Sequence, residues 1–366
     1  MRLQLPVSEA GADSAKRNAA LMRAVPLTRL VDYGVTVGDA LELTARISTK
    51  EAPAWDLVAE DMAGRYASLA REAAADGCMI SAAQAWACAA ALNHVAQLAY
   101  NADEPRKAAL YEAGRQAVIA HGSIVGTVSE LQLPSPEGAL YGWQVAPAGG
   151  APLAAVVIVG GLSGWGAVYL SMAQALARRG VLCVLAEGPG QGSTRMRSGL
   201  HLDAETLPLF TRFVDHAHAS GARRVGVCGN SFGGLFAAHM AAMDPRVSAV
   251  CINGAPMAPT VPDFRTAREQ MAALFGVESE SALEQRLTDL RMSPHKHRID
   301  AAMLVVEGGR DPLVALGEQA SFFDLGQRQR CQLMTWPDGE HTIYNHAAWR
   351  NAQVADWFCA QLLPDS

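Results

Sequence analysis

The chain lacks what several function classes require. It has no CxxC pair: its seven cysteines, Cys78, Cys88, Cys183, Cys228, Cys251, Cys331 and Cys359, are scattered. An odd number without short spacings fits reduced, mostly buried thiols of a reducing cytoplasm better than a disulfide framework or a structural zinc site. Positive charge is in short supply, with 30 Lys and Arg against 36 Asp and Glu and a net charge of -6. Basic pairs such as Arg195 with Arg197, or Arg223 with Arg224, are too small to track a phosphate backbone, so no nucleic-acid partner is expected. No run of about 18 apolar residues is free of polar breaks, which argues against a membrane span. Residues 1–23 mix Glu9, Asp13, Lys16 and Arg17 into their apolar positions, unlike the uninterrupted core of a signal peptide. The composition leads to the expectation of a soluble, cytoplasmic globular protein.

Apolar material is abundant: half of the 366 residues are hydrophobic and 18% are charged, enough for a large core. The texture changes once along the chain. From about Val37 to His121 the chain is Ala-rich with apolar side chains at helical spacing, such as Trp55, Val58, Ala59 and Met62, and residues 1–125 are expected to form a helical domain beside the active site. Residues 126–366 alternate β-branched apolar runs (155–159, 181–186, 225–228, 247–252, 302–306 and 332–336) with helical patterns. Helices are expected over 167–179, 204–220, 234–243, 316–325 and 347–363. Strands alternating with helices predict a mostly parallel sheet covered on both faces, an α/β fold. Runs at 131–133 and 140–145 predict an antiparallel start to that sheet, and residues 259–298 fall where a lid would be inserted.

The most informative segment is Val225-Gly226-Val227-Cys228-Gly229-Asn230-Ser231-Phe232-Gly233-Gly234-Leu235. A strand running into G-x-S-x-G and then into a helix predicts a nucleophile elbow. Ser231 must sit on a tight turn with Oγ above the sheet, and glycines two positions either side tolerate the close backbone approach. A serine hydroxyl needs a base to take its proton, and the base needs an orienting carboxylate. The order Ser, acid, His of this fold points to Asp311 in Gly308-Gly309-Arg310-Asp311-Pro312 and to His341 in Pro337-Asp338-Gly339-Glu340-His341. Glu307 and Asp338 are alternative carboxylates, and His346 is the rival histidine. The backbone N–H of Phe232 should form half of an oxyanion hole. The other half belongs to the loop Gly160-Gly161-Leu162, with Gly161 and Leu162 both candidates.

Other motifs point elsewhere. Glu187-Gly188-Pro189-Gly190-Gln191-Gly192 lacks the Lys and Ser/Thr of a phosphate loop and reads as a tight loop shaping the site wall. His295-Lys296-His297 has the wrong spacing for two metal ligands on one helix face, so no metal is expected. Trp165, Trp86 and Met257 are candidates for the lining of a substrate pocket, with core packing an equal reading for each.

Taken together and in order, Gly160-Gly161-Leu162, the 187–192 loop, Gly229-Asn230-Ser231-Phe232-Gly233-Gly234, Gly308-Gly309-Arg310-Asp311 and Asp338-Gly339-Glu340-His341 resemble a particular α/β-hydrolase family. It is the group of 2,6-dihydroxypseudooxynicotine hydrolase, the fungal polyketide-shortening hydrolases and the fermentation-respiration switch esterase. In the helical half, Gly38-Asp39-Ala40, Trp55, Ala82-Ala83-Gln84-Ala85-Trp86 and Arg106-Lys107-Ala108-Ala109-Leu110-Tyr111 are similar too. The resemblance implies a triad of Ser231, Asp311 and His341, no cofactor, often a homodimer, and in several members hydrolysis of a carbon–carbon bond next to a ketone. The chain departs from the family at Ser163-Gly164-Trp165-Gly166 and around Asn93-His94, both where substrate should sit. The expected function is hydrolysis of a small or medium carbonyl compound through an acyl-enzyme, the bond being that of a β-diketone or polyketide-like ketone, or an ester. An acyltransferase or cyclase with the same triad is the alternative.

Overall fold

Alanine and leucine at helical spacing build the first part of the chain into helices. The computed structural model describes residues 14–49 and 51–363; the charged positions Glu9 and Asp13, read as breaking a signal peptide, lie outside them. Among the described residues six α-helices come first: α1 (Ser14–Ala24), α2 (Leu27–Asp32), α3 (Val37–Ile47), α4 (Trp55–Ala75), α5 (Met79–Ala96) and α6 (Pro105–Val125). Their ends follow local chemistry. Thr36 caps α3 by accepting the Asp39 N–H, Pro105 occupies the first turn of α6, and Gly126 ends α6 at φ 70°. α5 packs between α4 and α6. Trp55 is buried at the start of α4, and its indole N–H donates to the Val95 carbonyl at 2.9 Å.

The described residues that follow supply eight strands: β1 (Val128–Leu133), β2 (Leu140–Val145), β3 (Ala154–Val159), β4 (Val181–Glu187), β5 (Arg224–Asn230), β6 (Val247–Asn253), β7 (Ala302–Gly308) and β8 (Cys331–Trp336). They form one sheet in the order β1-β2-β4-β3-β5-β6-β7-β8. β2 runs antiparallel to β4, and every pairing from β4 through β8 is parallel. β3, β4 and β7 are buried along their whole length, which is why they read as unbroken apolar runs. β8 lies at the edge, and none of its residues is fully buried, as befits a strand with one free side.

Between and after the strands come α7 (Leu170–Ala177), α8 (Gly192–Ser198), α9 (Thr211–Ala219), α10 (Gly233–Met243), α11 (Arg265–Phe275), α12 (Glu280–Asp289) and α13 (Ala347–Leu362). Three of the expected helices are tighter or shorter than their apolar spacing suggested. A 3-10 turn at Gly166–Tyr169 precedes α7, another at Leu207–Phe210 precedes α9, and the segment Glu318–Leu325 is 3-10 throughout. At the second of these Pro208 lacks an N–H, so it fits the first turn but not a continuous longer helix. Residues 259–298 carry α11 and α12.

Two compact units divide in sequence between Ser129 and Glu130, inside β1, whereas the sequence alone suggested a boundary at 125/126. No described helix is long and apolar enough to cross a membrane. In the strand-rich unit the core is built from Val157, Val184, Val227, Phe236, Ile252 and Val305, all at most 1% exposed.

Candidate active site

β5, buried from Val225 onward, delivers Ser231 at its end, and α10 departs two residues later. Between them Ser231 adopts φ 56°, the left-handed region that L-residues enter at a cost of about 1–2 kcal/mol. The turn is pinned by the Ser231 N–H, which donates to the Asn253 carbonyl at 2.7 Å, and by the Gly234 N–H, which donates to the Ser231 carbonyl at 2.8 Å. The flanking glycines are steric necessities. A Cβ on Gly229 would lie 2.1 Å from the Gly233 carbonyl oxygen, and one on Gly233 would lie 2.3 Å from that of Gly160. Strain of this kind, held by surrounding structure, is found at functional sites.

Ser231 Oγ–H donates to His341 Nε2 at 2.8 Å, and His341 Nδ1–H donates to Asp311 Oδ2 at 2.8 Å. The carboxylate fixes the tautomer, because Nδ1 must carry the proton to bond it. Asp311 follows β7, and its other oxygen accepts the N–H groups of Leu313 at 2.8 Å and Val314 at 3.2 Å. Its side chain is 1% exposed and that of His341 10%. The rivals are engaged elsewhere. Glu307 accepts from Thr335 Oγ1 and from the Gly317 N–H, Asp338 accepts from His346 Nε2 at 2.9 Å, and His346 stacks on Trp336. The His346 contact holds the Asp338 carboxyl below its usual range.

The turn behind His341 is strained as well. Thr342 and Ile343 sit at φ 49° and 63°, unusual for β-branched residues. The Thr342 carbonyl accepts from Asn253 Nδ2 at 3.1 Å and from Arg350 Nη1 at 2.6 Å. Arg350, on α13, is 1% exposed. No sequence motif marks Asn253 or Arg350; a buried arginine in a helical pattern reads as surface until its partner carbonyl is seen.

The loop after β3 approaches the nucleophile from the other side. A Cβ on Gly161 would lie 2.8 Å from Ser231 Cβ and 3.0 Å from its Oγ, so only glycine fits. The Phe232 N–H and the N–H groups of Gly161 and Leu162 have no protein acceptor among the described residues. Phe232 packs edge-on against Phe236 and against Phe275, bringing α11 to the elbow. Of the three candidate lining residues, Trp165 is 1% exposed, donates its indole N–H to the Gly161 carbonyl at 3.0 Å, and carries the Arg195 guanidinium 4.8 Å above its ring. It supports the loop. Met257 is half-buried against the core of the strand-rich unit. Trp86 belongs to α5 of the helical unit, with Arg71 over its ring at 5.4 Å. Among the described residues, no group of three or more His, Cys, Asp or Glu is placed to hold a metal ion.

Comparison with known proteins gives the same architecture. A sequence profile described as the alpha/beta hydrolase fold matches residues 154–298. No curated protein matches the chain in sequence. Among solved structures, a 2,6-dihydroxy-pseudo-oxynicotine hydrolase superposes with a TM-score of 0.81 at 20% identity, covering 92% of this chain and 95% of that one. Wild-type AbyA5 gives 0.71 at 21% identity, covering 92% and 93%. The protein Est1E from Butyrivibrio proteoclasticus gives 0.52 at 16% identity, covering 64% of this chain and 99% of its own. Sheet order, elbow and these likenesses together make the chain a protein of the α/β-hydrolase fold.

Proposed function

We propose that this protein is a serine hydrolase that cleaves a small or medium carbonyl substrate through an acyl-enzyme. The observation that carries the reading is the hydrogen-bonded chain from Ser231 through His341 to the anchored carboxylate of Asp311. Ser231 Oγ bonds to the substrate carbonyl carbon while its proton passes to His341 Nε2. Asp311 keeps the imidazole in the required tautomer and offsets the charge of the imidazolium. The carbonyl oxygen, now an anion, is held by the Phe232 N–H and by an N–H of Gly161 or Leu162, each such donor contributing about 3 kcal/mol. Collapse breaks the bond to the leaving group, which takes the proton from His341. Water, deprotonated by the same imidazole, then releases the acid and restores the serine.

The leaving group is either the enolate carbon of a β-diketone or polyketide-like ketone, or the alkoxide of an ester. The motif resemblance and the likeness to a 2,6-dihydroxy-pseudo-oxynicotine hydrolase support the first. A panel of β-diketones and esters, followed by mass detection of both fragments, tests the proposal. Turnover of at least one class, absent in Ser231→Ala, is expected. Turnover that survives in that variant would overturn it.

A further inference from the structure

Gln191 lies in the glycine-rich loop after β4, is 0% exposed, and has no place in the chemistry so far. Its side-chain amide reaches the oxyanion loop, where Nε2 donates to the Gly160 carbonyl at 2.6 Å and to the Gly161 carbonyl at 3.1 Å. The Gly161 carbonyl also accepts the indole N–H of Trp165 at 3.0 Å. In a trans peptide the C=O and the N–H point in opposite directions. Two buried donors on one carbonyl therefore fix the peptide plane linking Gly161 to Leu162, and with it the direction of the Leu162 N–H. That peptide is the more firmly held of the two, since the Gly160 carbonyl has only Gln191 of this pair.

We infer that Gln191, seconded by Trp165, is a positioning residue that aims the Leu162 N–H at the oxyanion, and that Leu162 supplies the second donor of the hole. The inference rests on the proposed serine chemistry and deepens it. Neither side chain touches the substrate; both act through the backbone. The support is itself anchored. The Gln191 N–H donates to the Gly188 carbonyl at 2.9 Å, and the buried Glu187 carboxylate accepts the Ser193 N–H at 2.6 Å and the Trp143 indole N–H at 3.2 Å. The segment between β4 and α8 thus has a defined shape that sets Gln191 under the loop. A donor held in place before reaction needs no reorganisation as charge develops, which is the source of its advantage. A loosened donor weakens transition-state binding while leaving ground-state binding nearly intact.

The test compares wild type with Gln191→Met, which keeps length and removes both donated bonds, and with Trp165→Phe, which removes one bond and keeps an aromatic ring. Hydrolysis of p-nitrophenyl acetate and inhibition by phenylboronic acid, which forms a tetrahedral adduct on serine, are measured across pH. In Gln191→Met, kcat should fall by about 10- to 100-fold with KM within about threefold, as expected for loss of oriented oxyanion donors. Affinity for the boronic acid should fall in parallel, and the midpoint of the pH profile should stay in place because the His341–Asp311 pair is untouched. Trp165→Phe should show a smaller loss of the same kind, and it carries the test if Gln191→Met does not fold. Unchanged kcat and boronic-acid affinity in a folded variant, or a shifted pH midpoint, would overturn the assignment while leaving the serine chemistry standing. A wild-type protein that neither hydrolyses the ester nor binds the boronic acid would remove both.

Discussion

At Asp311 all three hydrogen bonds of the carboxylate are made by groups the chain places around it, two backbone N–H donors and one imidazole. Replacing it by Asn keeps the shape but offers His341 an amide that can donate, which favours the wrong tautomer. Asp311→Asn is therefore expected to lower kcat by about 10⁴-fold with little change in KM, measured on whichever substrate the panel identifies. A loss under tenfold would mean that the orienting charge comes from elsewhere. At this scale the candidate site was legible where chemistry imposes a motif: G-x-S-x-G, and a carboxylate and a histidine on loops after successive strands. It was not legible where a side chain acts on a distant carbonyl. Arg350 reaches Thr342 eight residues earlier, and Gln191 reaches Gly160 and Gly161 from another loop. A lone polar residue between glycines at a strand's C-terminal end is the faint signal that could have singled out Gln191.

Elements were legible to the degree that burial is two-sided. The parallel strands β3, β4 and β7 announce themselves because both faces are covered, and α10 follows from the elbow before it. Apolar spacing cannot tell an α-helix from a 3-10 turn, hence the differences at Leu207–Phe210 and Glu318–Leu325. Two histidines inside helices have a further consequence. Burial lowers the pKa of His94 on α5 and of His239 on α10 to about 4, against carbonyl contacts that oppose the shift. Folded, both rings stay neutral between pH 6.5 and about 4; unfolded, they bind protons there. Their contribution is complete above about pH 6.5 and is lost as pH falls toward 4. His239→Gln keeps a donor for the Leu290 carbonyl, which His239 bonds through Nε2 at 2.9 Å, and removes the titration. Urea midpoints taken at pH 7.5 and pH 5 should therefore drop less in the variant than in wild type. Equal drops would contradict the assignment.

Across the whole molecule, the cysteines offer an independent measure of how the chain is folded. Cys78 is exposed; Cys88, Cys331 and Cys359 are half-buried; Cys183, Cys228 and Cys251 are buried in strands. Burial raises the thiol pKa of Cys88, Cys183, Cys331 and Cys359, which lowers their thiolate fraction as well as their access. An aromatic disulfide reagent at pH 8 should titrate one thiol fast, three slowly, and the remaining three only after denaturant is added. Seven fast equivalents would mean that the strands are not buried as described. Ser231 is proposed to be a hydroxyl activated by its neighbours, and a fluorophosphonate probe reads that directly by peptide mass spectrometry. The prediction is a single adduct on Ser231 that disappears in Ser231→Ala and forms orders of magnitude more slowly in His341→Ala. An adduct on another residue, or labelling as fast without the imidazole as with it, would contradict the account.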